Sequence, residues 1–376
     1  MPPVVSGVIF HWLGGLASGS FYVPFQGVKK WSWEVYWIVG GIFSWLIAPW
    51  LFGSILTKDL FTVVAEGLKT NASSAGWAYL FGVLWGIGGL TFGLTMRYLG
   101  MSLGMAVALG ICTVIGMIGP DLFVNRNYFE QLSSLPSYAV VQLGLGVCLL
   151  GVIIAGIAGT SKEHEMPEEE RKKSIAEFNL TKGLLVAMVS GVFSACMNFG
   201  LKAAEPFAQI SISHGTPTIW VGLVKLCIVL LGGLTTNAIW CWYLIKKNKS
   251  GKQFNSLNLA EGETLEKSKI SKTIGLNYFF SALAGTTWYF QFFFYQMGER
   301  KMIEAQCDYS SWTLHMASII IFSSIWGLAL HEWRGTSKFT KFILGVAIFT
   351  LIYSTIVAGY GNYLGYVASL AADSAQ

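Results

Sequence analysis

Roughly ten apolar stretches, each long enough to cross a bilayer, fill this chain, and its basic residues crowd into alternate gaps between them. A helix needs about 20 mostly apolar residues to cross about 30 Å of hydrocarbon. The stretches fall at 3–27, 33–54, 76–98, 101–123, 138–158, 183–205, 217–245, 274–298, 305–329 and 340–362. Inside lipid every backbone N–H and C=O must find a partner within the protein, and the alternating ten-residue pattern of a barrel is missing, so helices remain. Only 12% of the residues are charged and 53% are hydrophobic; a soluble domain carries about 25% charged residues. A water-soluble fold is excluded, and the expectation is an all-α polytopic membrane protein with ten transmembrane helices. The first stretch has no basic region before it and exceeds a signal-peptide core, so it is expected to be a retained helix.

The charges set an orientation. Lys29 and Lys30, Arg97, a cluster from Lys162 to Lys182, a second from Lys246 to Lys272, and Arg334, Lys338 and Lys341 occupy one set of gaps. The other set holds Lys58, Lys69, Arg126, Lys202, Arg300 and Lys301. Basic loops stay in the cytoplasm, which puts both termini on the outer side of the membrane. The net charge of +5 is then a topology signal and implies no nucleic-acid partner; the bilayer itself is the expected partner. The segments 159–182 and 246–273 are the long cytoplasmic connections. The run Glu163 to Lys173 in the first reads as a solvated surface helix or strap, with a partner-docking role as the alternative. Cys112, Cys148, Cys196, Cys227, Cys241 and Cys307 show no CxxC pairing. They read as packing residues, with no disulfide and no metal site expected.

A weak internal repeat is present. Setting Gly76 on Gly275 aligns Tyr79 with Tyr278, Phe81 with Phe280, Leu84 with Leu283 and Gly86 with Gly285. A second pairing sets Gly15-Leu16-Ala17-Ser18 on Gly191-Val192-Phe193-Ser194. Together these pair stretch 3 with 8 and stretch 1 with 6, which is the spacing of two five-helix repeats at 1–158 and 183–376. An odd number of spans per repeat forces the two to insert with opposite orientation, an arrangement that places a substrate site near mid-membrane.

Polar residues inside apolar stretches are costly, by about 2.5–3.5 kcal/mol for an ionised group at the centre, so they face cavities or partners. Asp308, Trp312 and His315 lie at i, i+4 and i+7, one helical face; Asp308 and His315 are candidate proton-coupling groups, and Trp312 a substrate contact. Trp288, Gln291 and Tyr295 share a face of the eighth stretch. An amide among aromatic rings suits a sugar, which offers hydroxyls and C–H faces. His11, Ser18, Tyr22 and Phe25 form a stripe on the first stretch, with His11 a further coupling candidate near the entrance. Ser194, Asn198 and Lys202 line the sixth. Lys225 lies too deep in the seventh to reach the surface easily, so it needs a wet pocket, with substrate as a possible contact, or a carboxylate, Glu205 or Asp308. Glu34 and Arg97 lie near the cytoplasmic ends, where they could gate. No HExxH, Walker or GxSxG motif occurs, so no enzyme is expected, and no charged ring or carbonyl filter suggests a channel.

Several runs resemble one family. Phe21-Tyr22-Val23-Pro24-Phe25, Lys29-Lys30-Trp31-Ser32-Trp33-Glu34, the stretch Gly93 to Ser102, Gln291-Phe292-Phe293-Phe294-Tyr295, Asp308-Tyr309-Ser310-Ser311-Trp312 and Leu314-His315-Met316 resemble the bacterial L-rhamnose–proton symporter family of the drug/metabolite transporter superfamily. The resemblance implies ten helices built as five plus five inverted, and proton-driven uptake of L-rhamnose or a related 6-deoxyhexose with no cofactor beyond the coupling proton. Lys225, within Leu223-Val224-Lys225-Leu226-Cys227, departs from that family's pattern and keeps open a transporter of another sugar or small metabolite.

Overall fold

Without water to serve the backbone, each apolar stretch bonds its N–H groups to its own carbonyls. The computed structural model describes residues 2–99, 101–124, 127, 130, 133, 137–165, 179–259 and 266–374, and every regular element among them is helical. Helix α1 is Pro3–Ser20, extended by a turn at Tyr22–Phe25. Helix α2 runs Trp33–Ile42, passes through a π segment at Phe43–Ile47 and ends as Ala48–Leu56. Then come α3 (Leu60–Thr70), α4 (Ala72–Leu99), α5 (Met101–Val124) and α6 (Tyr138–Glu165). The rest comprises α7 (Leu180–Ala203), α8 (Glu205–Ser213), α9 (Leu223–Asn248), α10 (Lys267–Glu304), α11 (Ser311–Ala329) and α12 (Lys338–Ser374).

Nine segments among the described residues are long and apolar enough to cross a membrane. They correspond to α1 with its added turn, α2, α4, α5, α6, α7 with α8, α9, α11 and α12. The expected stretch 274–298 falls inside α10, the longest helix at 38 residues but not one of the nine. Asn277, Thr286, Thr287, Tyr289 and Gln291 dilute its hydropathy, and a broad face of it is buried by neighbouring helices. The segment 159–182 is helical at its start, since α6 continues to Glu165. The Glu163 to Lys173 run lies mostly outside the described residues. Within 246–273, Lys249 takes a left-handed conformation that ends α9, and a 3-10 turn follows at Ser250–Asn255.

Packing brings distant segments together. α1 lies against α10 and α11, α7 against α4 and α5, and α6 against α12, while α9 contacts α4 and α2. Small residues permit the closest approaches. A Cβ on Gly285 would run into the Gly40 carbonyl, so α2 and α10 touch backbone to backbone there. Added volume at such a contact costs about 1–3 kcal/mol. Gly285→Ala is expected to lower the unfolding temperature in detergent. Gly275→Ala, where a Cβ would meet nothing within 4 Å, should not.

Candidate functional site

Two histidines from opposite ends of the sequence meet inside the bundle. His11 of α1 and His315 of α11 are both buried, with ring centroids 6.3 Å apart. The Tyr295 ring of α10 lies 5.3 Å from His11 and 5.1 Å from His315. Glycines make room: a Cβ on Gly14 would sit 3.0 Å from the His315 ring and 2.8 Å from the Gln291 carbonyl, and one on Gly298 would sit 2.8 Å from the His11 ring. Ser318 Oγ lies 2.9 Å from the His11 carbonyl and 2.7 Å from that of His315, tying α1 to α11. Both ring nitrogens of His11, both of His315, and Nε2 of Gln291 are buried without a hydrogen-bond partner. Leaving a buried polar group unpaired costs about 1–3 kcal/mol. A neutral imidazole offers one donor and one acceptor, and an amide nitrogen two donors. The cluster therefore holds unused hydrogen-bonding capacity suited to hydroxyl groups or a proton.

Asn198 and Trp312 sit beside this cluster with their main bonds made internally. Tyr295 donates its hydroxyl to Asn198 Oδ1 at 3.1 Å, and Asn198 Nδ2 donates to the Gly116 carbonyl at 2.8 Å. Trp312 Nε1 donates to the Cys112 carbonyl at 3.0 Å. These bonds lock α5, α7, α10 and α11 around the histidines.

At the end of the bundle where α1 begins, two charge clusters follow. Lys202 Nζ lies 2.9 Å from Asp308 and 3.1 Å from Asp121. Asp308 lies in a 3-10 turn, Asp308–Ser310, that leads directly into α11, and its carboxylate accepts a hydrogen bond from Lys202. Lys225 is buried and lies 3.1 Å from Glu205 and 3.0 Å from Glu299, both within hydrogen-bonding reach. Glu205 was one of its two expected partners; Asp308 is engaged by Lys202 instead. Gln296 Nε2 donates to Glu299 at 3.2 Å. Asp121 and Glu299 escaped sequence reasoning because both lie near the ends of apolar stretches, where charges read as loop or interface residues.

Further along α10, Trp288 stacks on Phe21 at 4.6 Å and meets Trp37 at 5.3 Å, Trp45 at 5.5 Å and Trp85 at 6.3 Å. The π segment of α2 contains Trp45. Trp37, Trp45 and Trp85 had no sequence signal beyond their residue type. Tyr22 does not share the buried side of His11: α1 stops at Ser20, the register shifts through Phe21, and Tyr22 is 57% exposed. Ser18 is half-buried, and half-buried Ser194 sits where a Cβ on Gly88 of α4 would collide with its backbone. Glu34, expected near a gate, is buried and accepts bonds from Asn248 Nδ2 at 3.1 Å and Ser250 Oγ at 2.6 Å, fastening the end of α9. The Arg97 side chain lies outside the described residues. Among the described residues no group of His, Cys, Asp and Glu could hold a metal ion.

A family model described as L-rhamnose-proton symport protein (RhaT) matches residues 2–363. The chain belongs to this family. The L-rhamnose-proton symporter of Yersinia pestis (strain Pestoides F) is 36% identical over 358 residues, covering 95% of this chain and 98% of the relative. The proteins of the same name from Yersinia pseudotuberculosis serotype O:1b (strain IP 31758) and from Citrobacter koseri match with the same identity and coverage. The RhaT family is one of transporters and not of enzymes, and all three relatives match across nearly their whole length, so its match embraces both histidines, both charge clusters and the tryptophans.

Proposed function

We propose that this chain imports L-rhamnose, or a closely related 6-deoxyhexose, together with a proton across the bacterial inner membrane. The observation that carries the reading is the convergence of His11, His315 and Gln291 with buried, unpartnered polar atoms, in a chain belonging to a symporter family. His11, His315, Gln291 and Tyr295 hold sugar hydroxyls, and Trp288, about 4.5 Å from Gln291 along α10, meets C–H faces. Trp312, Asn198, Ser18 and Ser194 shape the surrounding wall, and Tyr22 stands at the mouth on the cytoplasmic side. The coupling proton moves between Asp308, half-buried at the outer end, and the histidine pair. With Lys-rich segments in the cytoplasm, both termini face outward.

Alternating access then rests on ten spans, α10 included, arranged as two inverted five-helix repeats. Glycine contacts support this. Gly86 faces the Gly233 carbonyl and Gly233 faces the Gly82 carbonyl, while Gly285 faces the Gly40 carbonyl and Gly40 faces the Ser281 carbonyl. Setting Gly76 on Gly275 in the sequence puts Gly82 on Ser281 and Gly86 on Gly285, so the same two contacts join the halves twice, once as α4 on α9 and once as α10 on α2. The packing of α1 on α10 and α11 likewise matches that of α7 on α4 and α5.

A neutral substrate fits the charges. Lys225 and Lys202 each face two carboxylates, which leaves neither cation unopposed for an anionic metabolite. Uptake of labelled L-rhamnose into membrane vesicles is expected to require an inward proton gradient and to collapse with a protonophore. Uptake indifferent to the gradient would reject symport.

A further inference from the structure

The ion pairs of Lys202 join parts of the chain that are far apart in sequence. Asp121 belongs to α5, in the first half; Lys202 ends α7, and Asp308 opens the turn ahead of α11, both in the second. We propose that Asp121, Lys202 and Asp308 form a charge latch across the outer seam, through which proton entry is coupled to opening toward the outside. This rests on the symport reading above.

The geometry supports a latch. Lys202 Nζ lies within 3.1 Å of Asp121 and 2.9 Å of Asp308, so one cation closes two carboxylates from different halves. The Lys202 and Asp121 side chains are 20% and 15% exposed, and Asp308 is 35% exposed. The first two are shielded enough for the pairs to matter, and the third is reachable by a proton from water. Behind them lies a polar route inward: Glu299 is one helical turn from Tyr295 on α10, and the Tyr295 ring lies against both histidines. Other ionisable groups near Lys202 are Glu299 and Tyr295 from α10. From α9 and α8 come Lys225 and Glu205, which pair with each other. Beside Asp308 itself lie Cys307 and Tyr309.

With both carboxylates ionised, Lys202 bridges the seam. A proton taken up by Asp308 removes one of its counter-charges and leaves the lysine held by Asp121 alone. The weakened seam opens, sugar enters, and the proton passes inward as the seam re-forms behind it. Asp121 and Lys202 touch no substrate in this scheme; they act on coupling.

The test uses full-length protein in proteoliposomes with an internal pH dye, comparing wild type, Asp121→Asn, Lys202→Met and Lys202→Arg. Asp121→Asn and Lys202→Met are expected to keep gradient-independent exchange of labelled L-rhamnose while gradient-driven accumulation falls about fivefold, an effect on the order of one ion-pair energy. Lys202→Arg, which keeps the charge, should accumulate near the wild-type level. Unchanged accumulation and unchanged proton-to-sugar ratio in Asp121→Asn and Lys202→Met would overturn the latch. A second readout needs no transport. Cys307, buried beside Asp308, is labelled in cells by a membrane-impermeant maleimide at one fixed pH, with the other cysteines replaced by alanine. Removing either Lys202 or Asp121 should speed labelling about fivefold; wild-type labelling rates in both variants would reject the proposal. Failure of the wild type to move protons with rhamnose would reject the symport reading itself, and the labelling result would still judge the seam.

Discussion

A His315→Leu variant is expected to fold and reach the membrane while losing L-rhamnose accumulation. The stability half of this expectation follows from the unused nitrogens of the imidazole. Neither Nδ1 nor Nε2 has a hydrogen-bond partner, and the side chain is 1% exposed. Leucine of similar volume therefore breaks no bond and removes buried polar atoms, a change that is neutral to stabilising. The functional half follows from what those nitrogens are free to do. A sugar hydroxyl left in a buried site without a partner costs about 1–3 kcal/mol, or roughly 5- to 150-fold in affinity. Removing the His315 ring also removes one of the two titratable groups at the centre. His315→Gln separates the two effects, because an amide can serve a hydroxyl but does not take up or release a proton at neutral pH. It should bind rhamnose, read by quenching of intrinsic tryptophan fluorescence, within about tenfold of wild type while still failing to accumulate it. Wild-type accumulation by His315→Leu would remove the histidine pair from the mechanism. This stability gained at the expense of activity is the expected signature of a site whose polar atoms are kept unpaired for a ligand.

The sequence carries the helices and their order because apolar length alone dictates them, and the mismatch at α10 has the same origin. A helix packed among other helices can afford Asn277, Thr287, Tyr289 and Gln291, so its low hydropathy reflects location in the bundle. Helical periodicity brings Trp312 and His315 together correctly, 6.4 Å apart. It does not carry through to Tyr22, which follows a break at Phe21 and is 57% exposed. Long-range pairings are illegible in a single sequence. Nothing local to Glu34 announces Ser250, and nothing local to His11 announces His315. The charge clusters show the limit most clearly. Lys225 demands a carboxylate on physical grounds, and Glu205 follows from proximity in sequence. Glu299 depends on how α9 and α10 pack and emerges only from the three-dimensional arrangement.

Lys225→Met is expected to be the most damaging single substitution outside the histidine pair, and the loss should be one of folding. Lys225 and Glu299 are both 3% exposed and lie 3.0 Å apart, with Glu205 at 3.1 Å on the other side. Removing the ammonium strands the Glu299 carboxylate in a dry interior beside a second carboxylate. Breaking a buried pair in this way costs about 3–5 kcal/mol, a large share of the 5–15 kcal/mol that holds a typical domain together. The variant should yield little protein in membranes and unfold at markedly lower temperature in detergent. The double variant Lys225→Met with Glu299→Gln removes both buried charges and should recover most of that loss, since exchanging a whole buried pair for neutral groups is often close to neutral. Glu205 remains 32% exposed with Arg300 at 3.8 Å, so it keeps partial solvation and a counter-charge. The recovered protein also reports on substrate chemistry. A neutral sugar needs no cation at this position, so the double variant should still bind L-rhamnose, whereas a substrate held by Lys225 would be lost with it. A single variant as stable as wild type, or a double variant no more stable than the single, would remove the pair from the architecture of the fold.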